Sequence, residues 1–170
     1  RPAMGSRPKG ADSGGFHALN RNKRSIEIDL KSEAGLEAFY ELVRGADVLI
    51  ENNRPGVAAR LKIDYETLKA INPRLVYASI SGFGQTGPWA SRPGFDLIAQ
   101  AMTGIMSVTG YRGMPPAKNS VPVGDLGAGL FAAYAVLSAV QGRDRSGQGQ
   151  YVDVSLFESA LSLSIWEVAE

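Results

Sequence analysis

The sequence lacks cysteine and holds a single histidine, His17. Without cysteine the chain has no disulfide bonds, no thiolate metal ligands and no cysteine nucleophile. One histidine cannot build a multi-histidine metal site, so we expect no metal centre. The absence of disulfides fits a reducing compartment, and we therefore predict a cytoplasmic location.

Net charge and long apolar runs are also scarce. The 18 basic and 17 acidic residues leave a formal charge of +1, which is too small to attract nucleic acid or an anionic membrane. No apolar run approaches the roughly 18 residues of a membrane-spanning helix. With 44% hydrophobic residues among 170, the composition predicts one globular domain with a core of ordinary size. Neither nucleic acid nor a membrane is expected as a partner.

The first half of the chain alternates strand and helix patterns. Residues 1–24 are rich in glycine and charge and are predicted to form an extended loop. The elements predicted after this loop are a strand at 25–30, a helix capped by Ser32 and ended by Gly45, a strand at 47–50, a helix at 57–71 broken near 62–64, and a strand at 75–80. This order, with short connections, predicts an α/β fold in which helices cover a parallel sheet.

The second half contains more helix. We predict a loop at 81–93, helical spacing over 98–105 and another loop at 110–124. Beyond them come a long apolar helix with Leu126, Leu130, Tyr134, Leu137 and Val140 at helical spacing, a solvated turn at 142–149, a strand at 150–154 and a final helix at 155–168. The final helix has no stop signal and the first residue is not methionine, so we expect a piece of a longer protein.

The segment 82–87 matches the spacing G-x-G-x-x-G of dinucleotide-binding loops. That motif needs a helix that starts at the glycines and an acidic residue about 20 positions later. Pro88 and Pro93 prevent a regular helix here, and residues 99–110 contain no acid. We therefore predict no nicotinamide or flavin site. The glycines either let the backbone approach a ligand closely or form a plain structural loop.

Asp125 stands at the predicted start of the long helix. As an N-cap, its carboxylate would accept amide protons from the first helical turn and stabilise the helix by about 1 kcal/mol. As a nucleophile, it would stay ionised at the helix N-terminus and attack an activated carbonyl. Gly124, Gly127 and Gly129 favour the nucleophile, because a helical glycine costs roughly 0.8–1 kcal/mol relative to alanine and a bulky ligand needs space there. Both interpretations stay open at this point.

Basic residues lie near the carboxyl ends of the predicted strands, where parallel sheets bind ligands. Lys31 ends the first strand, and Arg54 and Arg60 follow the second. These groups could pair with phosphates. Solvated surface charges are the alternative interpretation for at least half of the basic residues.

Several motifs occur together and in one order, and they resemble the family III CoA-transferases. The motifs are N-K-R-S-I at 22–26, D-L-K at 29–31, A-D-V-L-I-E-N at 46–52, P-G at 55–56, N-P-R-L at 72–75, S-I-S-G-F-G at 79–84, G-F-D at 94–96, T-G at 109–110 and G-D at 124–125. The family includes formyl-CoA and carnitine-CoA transferases and the alpha-methylacyl-CoA racemases. The resemblance covers about residues 20–165. It implies a Rossmann-like large domain that is incomplete here, with a loop at 1–24 and a partial domain at 25–170.

The resemblance also implies the chemistry of the site. Asp125 matches the catalytic aspartate, which attacks the thioester of an acyl-CoA and carries the acyl group as an anhydride. The implied CoA contacts are Ile28, Lys31, Asn52, Asn53 and Arg60, and the implied acyl pocket is formed by Gly82, Phe83, Phe95 and Asp96. Coenzyme A is then a substrate, and no cofactor is bound permanently. The implied partners are an acyl-CoA, a small carboxylic acid and a second copy of the chain in an interlocked homodimer.

Phe95 distinguishes two branches of this family. Racemases have histidine at this position of the G-x-D motif, where it moves the alpha proton together with the catalytic aspartate. Phenylalanine cannot accept a proton, so a transferase is favoured. The alternatives are a racemase-like epimerase and a catalytically silent CoA-binding scaffold in which Asp125 only caps a helix. Because parts of the family's fold lie outside these residues, we expect the isolated chain to be inactive and to associate.

Overall fold

The computed structural model describes residues 14–169. Its elements are α1 (Gly14–Leu19), α2 (Glu33–Arg44), β1 (Val48–Glu51), α3 (Val57–Arg60), α4 (Tyr65–Ile71), β2 (Val76–Ser81), α5 (Asp96–Met102), α6 (Ile105–Val108), α7 (Val123–Ser146), β3 (Tyr151–Ser155), α8 (Leu156–Leu163) and α9 (Ile165–Ala169). The strands form one parallel sheet in the order β1-β2-β3. The predicted α/β architecture with a parallel sheet is confirmed.

Helices cover both faces of the sheet, and β2 is its central strand. Ala78 of β2 pairs with Ile50 of β1 and with Val152 of β3. Successive side chains of a strand point to opposite faces. Tyr77 therefore packs with residues of α2 and α4, whereas Ile80 packs against a cluster built from α5, α7 and α8.

The structure contains the helix cap and the helix break that the sequence predicts. The Ser32 side chain caps α2 by accepting a hydrogen bond from the Gly35 amide at 3.1 Å. The break predicted near 62–64 separates α3 from α4, and Lys62 there adopts a left-handed backbone with φ 58°. Ile63 is buried in the break, which anchors the turn to the core. Both predictions are confirmed.

The predicted strand at 25–30 is wrong. These residues form no strand, and the Ile26 side chain is 69% exposed. The period-2 alternation predicts only which side chains would lie on the same face of a strand. A β-strand also needs a neighbouring strand for its backbone hydrogen bonds. Among residues 14–169, β1 pairs only with β2.

The segment predicted as an extended loop at 1–24 contains the helix α1. The prediction for residues 1–13 lies outside the described residues. The division of the chain at residue 24 stays a prediction.

The predicted solvated turn at 142–149 is also wrong in its first half. Helix α7 continues to Ser146 and ends at Gly147, whose φ is 72°. Arg143 is buried, and its guanidinium donates to the Asp47 carboxylate at 2.8 Å and to the Arg74 carbonyl at 3.1 Å. The charged residues of this segment predict exposure to solvent. A buried arginine is nevertheless stable when polar groups accept hydrogen bonds from its guanidinium.

Helix α7 buries a face different from the one that its large apolar residues predict. The buried residues are Gly124, Gly127, Ala128, Ala132, Ala139 and Arg143, whereas Leu126, Leu130, Tyr134 and Leu137 are exposed. Small residues let α7 approach the sheet and its neighbouring helices closely, since they occupy little space between the backbones.

By length and composition, α7 could cross a membrane, although its sequence has no uninterrupted apolar run of that length. The core helix of a soluble protein passes the same test, so one such helix is weak evidence for a membrane span.

Candidate active site

A cavity of about 610 Å³ opens at the carboxyl ends of β1 and β2. Ligands of parallel sheets bind at such ends. Its walls come from the loop after β1, the loop after β2, the segment that enters α5, and the first turns of α7 and α8. The lining residues are Asn52, Asn53, Arg54, Pro55, Ser81, Gly82, Arg92, Pro93, Gly94, Phe95, Asp96, Leu97, Asp125 and Leu156.

Asp125 is the third residue of α7 and its side chain reaches both the cavity and solvent. No group within residues 14–169 donates a hydrogen bond to its carboxylate. The surrounding protein removes part of its hydration, which raises the pKa of Asp125, and the nearby Asp96 carboxylate raises it further. Asp125 is therefore an accessible carboxylate that accepts no hydrogen bond within the described residues.

The helix cap is supplied by Asp96 and not by Asp125. Oδ1 of Asp96 accepts hydrogen bonds from the backbone amides of Gly124 at 2.8 Å and Asp125 at 3.3 Å. Gln100 donates to the other oxygen of Asp96 at 2.6 Å. The interpretation of Asp125 as the N-cap is wrong, because α7 already begins at Val123 and the amides at its start donate to Asp96.

Two of the three glycines near Asp125 lie in close packing contacts. A Cβ atom on Gly124 would lie 3.1 Å from Oδ1 of Asp96, and one on Gly127 would lie 2.8 Å from a methyl group of Leu163. Of these three glycines, only Gly129 could carry a Cβ atom with no other described atom within 4 Å. The expectation that all three glycines make room for a ligand is therefore wrong for Gly124 and Gly127.

A glycine pair lets two loops cross beside the cavity. A Cβ atom on Gly82 would lie 2.5 Å from the Cα atom of Gly94, and the reverse substitution would be equally tight. The loop after β2 and the segment that enters α5 thus meet backbone to backbone. The first glycine of the rejected dinucleotide motif has this structural role, and no helix follows the segment 82–87 before α5.

The loop after β1 is held in place by hydrogen bonds at its start. Nδ2 of Asn52 donates to the Ile80 carbonyl at 2.6 Å, which joins the ends of β1 and β2. The Asn53 amide donates to the Glu51 carboxylate at 2.7 Å, and the Ser79 hydroxyl donates to the same carboxylate. Asn52 and Asn53 are thereby presented to the cavity.

The structure brings together most, but not all, of the residues predicted for the site. Those that line the cavity are Asp125, Asn52, Asn53, Gly82, Phe95 and Asp96. Ile28, Lys31, Arg60 and Phe83 do not line it. The Phe83 ring packs instead against Trp89 and Phe157, with ring centroids 5.6 and 5.9 Å apart.

Two arginines contribute positive charge to the cavity. Arg54 follows Asn53 in the loop after β1, and Arg92 lies over the Trp89 ring at 5.5 Å. Neither forms an ion pair within residues 14–169. No sequence pattern indicates Arg92, because it is a lone arginine in a glycine- and proline-rich loop. The basic residues at the strand ends did point to Arg54.

Comparison with known proteins identifies related sequences. The model of the family described as CoA-transferase family III matches residues 2–170. The chain is 49% identical over 148 residues to the acetyl-CoA:oxalate CoA-transferase of Acetobacter aceti, covering 86% of this chain and 38% of that enzyme. It is 45% identical over 157 residues to the succinyl-CoA:mesaconate CoA-transferase of Haloarcula hispanica, covering 90% of this chain and 40% of that enzyme.

A solved structure shows the same fold. A CAIB/BAIF family protein from Brucella suis superposes with a TM-score of 0.87 at 45% identity, over 91% of this chain and 41% of that protein. The chain thus spans about two fifths of the length of these relatives. The family match extends over nearly the whole sequence, and the chain belongs to the CoA-transferase family III.

Proposed function

We propose that the protein transfers coenzyme A from an acyl-CoA donor to a carboxylic acid, with Asp125 as the covalent nucleophile. The observation that carries this proposal is a carboxylate with free oxygen atoms in a cavity of about 610 Å³ at the strand ends. Membership of the family supports the reaction type. No metal or permanently bound cofactor takes part in the proposed steps.

The proposed steps conserve atoms and charge. A carboxylate oxygen of Asp125 attacks the thioester carbonyl, the C–S bond breaks, and CoA leaves as a thiolate. The thiolate then attacks the aspartyl carbonyl of the mixed anhydride, which releases the donor acid and leaves CoA on Asp125. The acceptor carboxylate displaces this thiolate to form a second anhydride. The thiolate finally attacks the acceptor carbonyl, which yields the new acyl-CoA and regenerates the Asp125 carboxylate.

We propose two groups of CoA contacts. Asn52 and Asn53 lie on the cavity and would contact the part of CoA next to the thioester. Ile28, Lys31 and Arg60 lie outside the cavity and would contact the more distant adenine and phosphate end, because CoA is far longer than its reactive thiol. Gly82, Phe83, Phe95 and Asp96 are proposed to shape the acyl side, Phe83 through the ring cluster behind the cavity.

We propose a small dicarboxylic acid as the acceptor. The names of the two CoA-transferase relatives specify oxalate and mesaconate, which both carry two carboxylates. One carboxylate of such an acceptor must reach Asp125, and the second needs a positive partner. Arg54 and Arg92 are cations on the same cavity without ion-pair partners among the described residues, and a guanidinium binds a carboxylate through two parallel hydrogen bonds.

Phe95 disfavours the racemase alternative. Its ring lines the cavity at the position of the G-x-D motif, and no histidine is among the lining residues. The proton acceptor of a racemase therefore has no counterpart in this cavity. An exchange assay for deuterium at the alpha carbon of a branched acyl-CoA tests this directly, and we expect no exchange above that of the Asp125→Asn variant.

Trapping of the covalent intermediate tests the main proposal. The intact protein is incubated with acetyl-CoA or succinyl-CoA, quenched with hydroxylamine and digested for mass spectrometry. We expect a hydroxamate on Asp125 in the wild type and none in Asp125→Asn, with turnover lower by a factor on the order of 10⁴–10⁶. Asp144→Asn, an exposed aspartate on the same helix, is the control and should keep full turnover. A protein that binds CoA but never acquires the hydroxamate would instead be a scaffold.

Two further predictions concern the whole protein. We propose that it forms an interlocked homodimer, as the resemblance implies, and that it works in the cytoplasm. The exposed apolar residues of α7 support an interface with another polypeptide.

A further inference from the structure

Two aspartates meet at the start of α7. We propose that Asp96 is a positioning residue: it holds the first amides of α7 and so leaves the carboxylate of Asp125 free to attack the substrate. This inference rests on the proposed function of Asp125. It gives Asp96 a role different from the substrate contact that its place on the cavity wall first suggests.

The first amides of a helix attract any nearby carboxylate. They have no partner inside the helix and carry the positive end of its dipole. An aspartate in the first turn, such as Asp125, can fold back and accept from such amides, and it is then a cap and no longer a free nucleophile. Asp96 already accepts from the amides of Gly124 and Asp125 at 2.8 and 3.3 Å. The Asp125 side chain accepts none of these protons and faces the cavity.

Asp96 is itself fixed by a chain of hydrogen bonds. Gln100, one turn further along α5, is fully buried and donates from Nε2 to Oδ2 of Asp96 at 2.6 Å. Its own oxygen accepts from the Asn119 amide at 2.8 Å. The loop before α7, helix α5 and the start of α7 are thus tied together through Gln100 and Asp96. Glycine at 124 suits this arrangement, because a Cβ atom there would lie 3.1 Å from Oδ1 of Asp96, which would have to shift.

The charges around Asp125 decide how its protonation responds to a change at Asp96. Asp96 from α5 is the negative group, whereas Arg54 and Arg92 from the two loops are positive, and α8 contributes the apolar Leu156. Replacing Asp96 by asparagine removes one negative charge but keeps an oxygen that can accept from the α7 amides. The pKa of Asp125 should then fall, since a like charge no longer opposes its ionisation. Replacement by alanine removes both the charge and the acceptor.

Three variants of the intact protein separate these roles: Asp96→Asn, Asp96→Ala and the control Asp144→Asn. Amide hydrogen exchange reports on residues 124–126 without requiring activity. We expect faster exchange there in Asp96→Ala, with kcat lower by about 10²-fold, as for a misplaced reacting group. The KM for acetyl-CoA or succinyl-CoA should change by less than about threefold, because Asp96 does not hold the substrate.

Asp96→Asn should keep the slow exchange and a larger share of kcat than Asp96→Ala. Its kcat profile should lose activity at a lower pH than the wild-type profile, since ionised Asp125 persists to more acidic conditions. Asp144→Asn should match the wild type in every readout. If Asp96→Ala does not fold, the pH profile of Asp96→Asn decides the matter.

The proposal is overturned if amide exchange at residues 124–126 of Asp96→Ala matches that of the wild type or, where that variant does not fold, if the kcat profile of Asp96→Asn is not shifted in pH. It is also overturned if KM rises while kcat holds, because Asp96 would then be a substrate contact. Failure of the proposed function has a different signature. In that case the wild type acquires no hydroxamate on Asp125, although amide exchange still responds to Asp96→Ala.

Discussion

Three aspartates show how the environment of one residue type decides its role. Within residues 14–169 no group donates a hydrogen bond to the Asp125 carboxylate, and Asp96 accepts from the amides of the neighbouring helix. Asp64 caps its own helix, α4, by accepting from the Thr67 amide at 3.2 Å and from the Thr67 hydroxyl at 2.8 Å. Partial burial opposes ionisation of Asp64, but these hydrogen bonds outweigh it and lower the pKa of Asp64.

The Asp64 cap makes a prediction about stability and pH. Asp64→Ala should lower the free energy of unfolding by about 0.5–2 kcal/mol at neutral pH, as for other lost caps. Because the folded pKa lies below the unfolded value of about 3.9, the stabilising charge is present above that pH. It is lost as the pH falls through the folded pKa. Urea unfolding at pH 7 and at pH 3 measures both effects.

Asp64→Asn is the matched control for that experiment, because asparagine caps about as well without a titrating charge. The gap in stability between the wild type and Asp64→Asn should shrink toward pH 3. A gap of the same size at both pH values would contradict the assigned direction of the pKa shift.

At the scale of one element, α7 combines a small-residue face against the protein with a large apolar face toward solvent. Gly127 and Gly129 lie two positions apart in this helix and face different surroundings. A Cβ atom on Gly127 would meet Leu163, whereas one on Gly129 would meet nothing within 4 Å in the described chain. Alanine substitutions at the two positions therefore distinguish the effect of helix propensity on stability from the effect of packing.

Gly129→Ala should stabilise the chain by roughly 0.8–1 kcal/mol, because alanine is the better helix former and has free space there. Gly127→Ala should gain less or lose stability, since Leu163 must move to admit the new methyl group. Thermal or urea unfolding of both variants against the wild type provides the measurement. Equal gains at the two positions would show that the contact with Leu163 is unimportant.

At the scale of the whole molecule, α7 exposes several large apolar side chains. Leu130 is 62% exposed and Tyr134 is 72% exposed, one turn apart on the same helix. Large exposed apolar patches mark interaction surfaces. The chain spans only about two fifths of its relatives, so this face is available either to further polypeptide of the same protein or to a second copy.

We expect the isolated 170-residue chain to self-associate at micromolar concentrations and to show no transferase turnover. The double variant Leu130→Glu with Leu137→Glu should weaken the association by at least about tenfold, because it places charge on the apolar face. Gln141→Glu adds charge at another exposed position of α7 and should have little effect. Sedimentation velocity across a range of concentrations measures the change. A wild-type chain that stays monomeric throughout would refute the expectation.

Local signals predicted much of the framework. The Ser32 cap and the break near 62–64 rest on contacts between residues close in sequence. Such contacts are encoded in short windows, and the structure retains them. The motifs also led to a site that includes Asp125, Asn52, Asn53 and Phe95, and these side chains do share one cavity.

The remaining features depend on which distant segments meet. The segment 25–30 has no strand to pair with among residues 14–169. Arg143 is buried because Asp47 and the Arg74 carbonyl, far away in sequence, lie beside it. The sequence by itself determined that Asp125 stands at a helix start. Only the tertiary structure decided that Asp96, 29 positions earlier, caps that helix. Two carboxylates compete for the same amides, and the packing of α5 against α7 determines which one binds them.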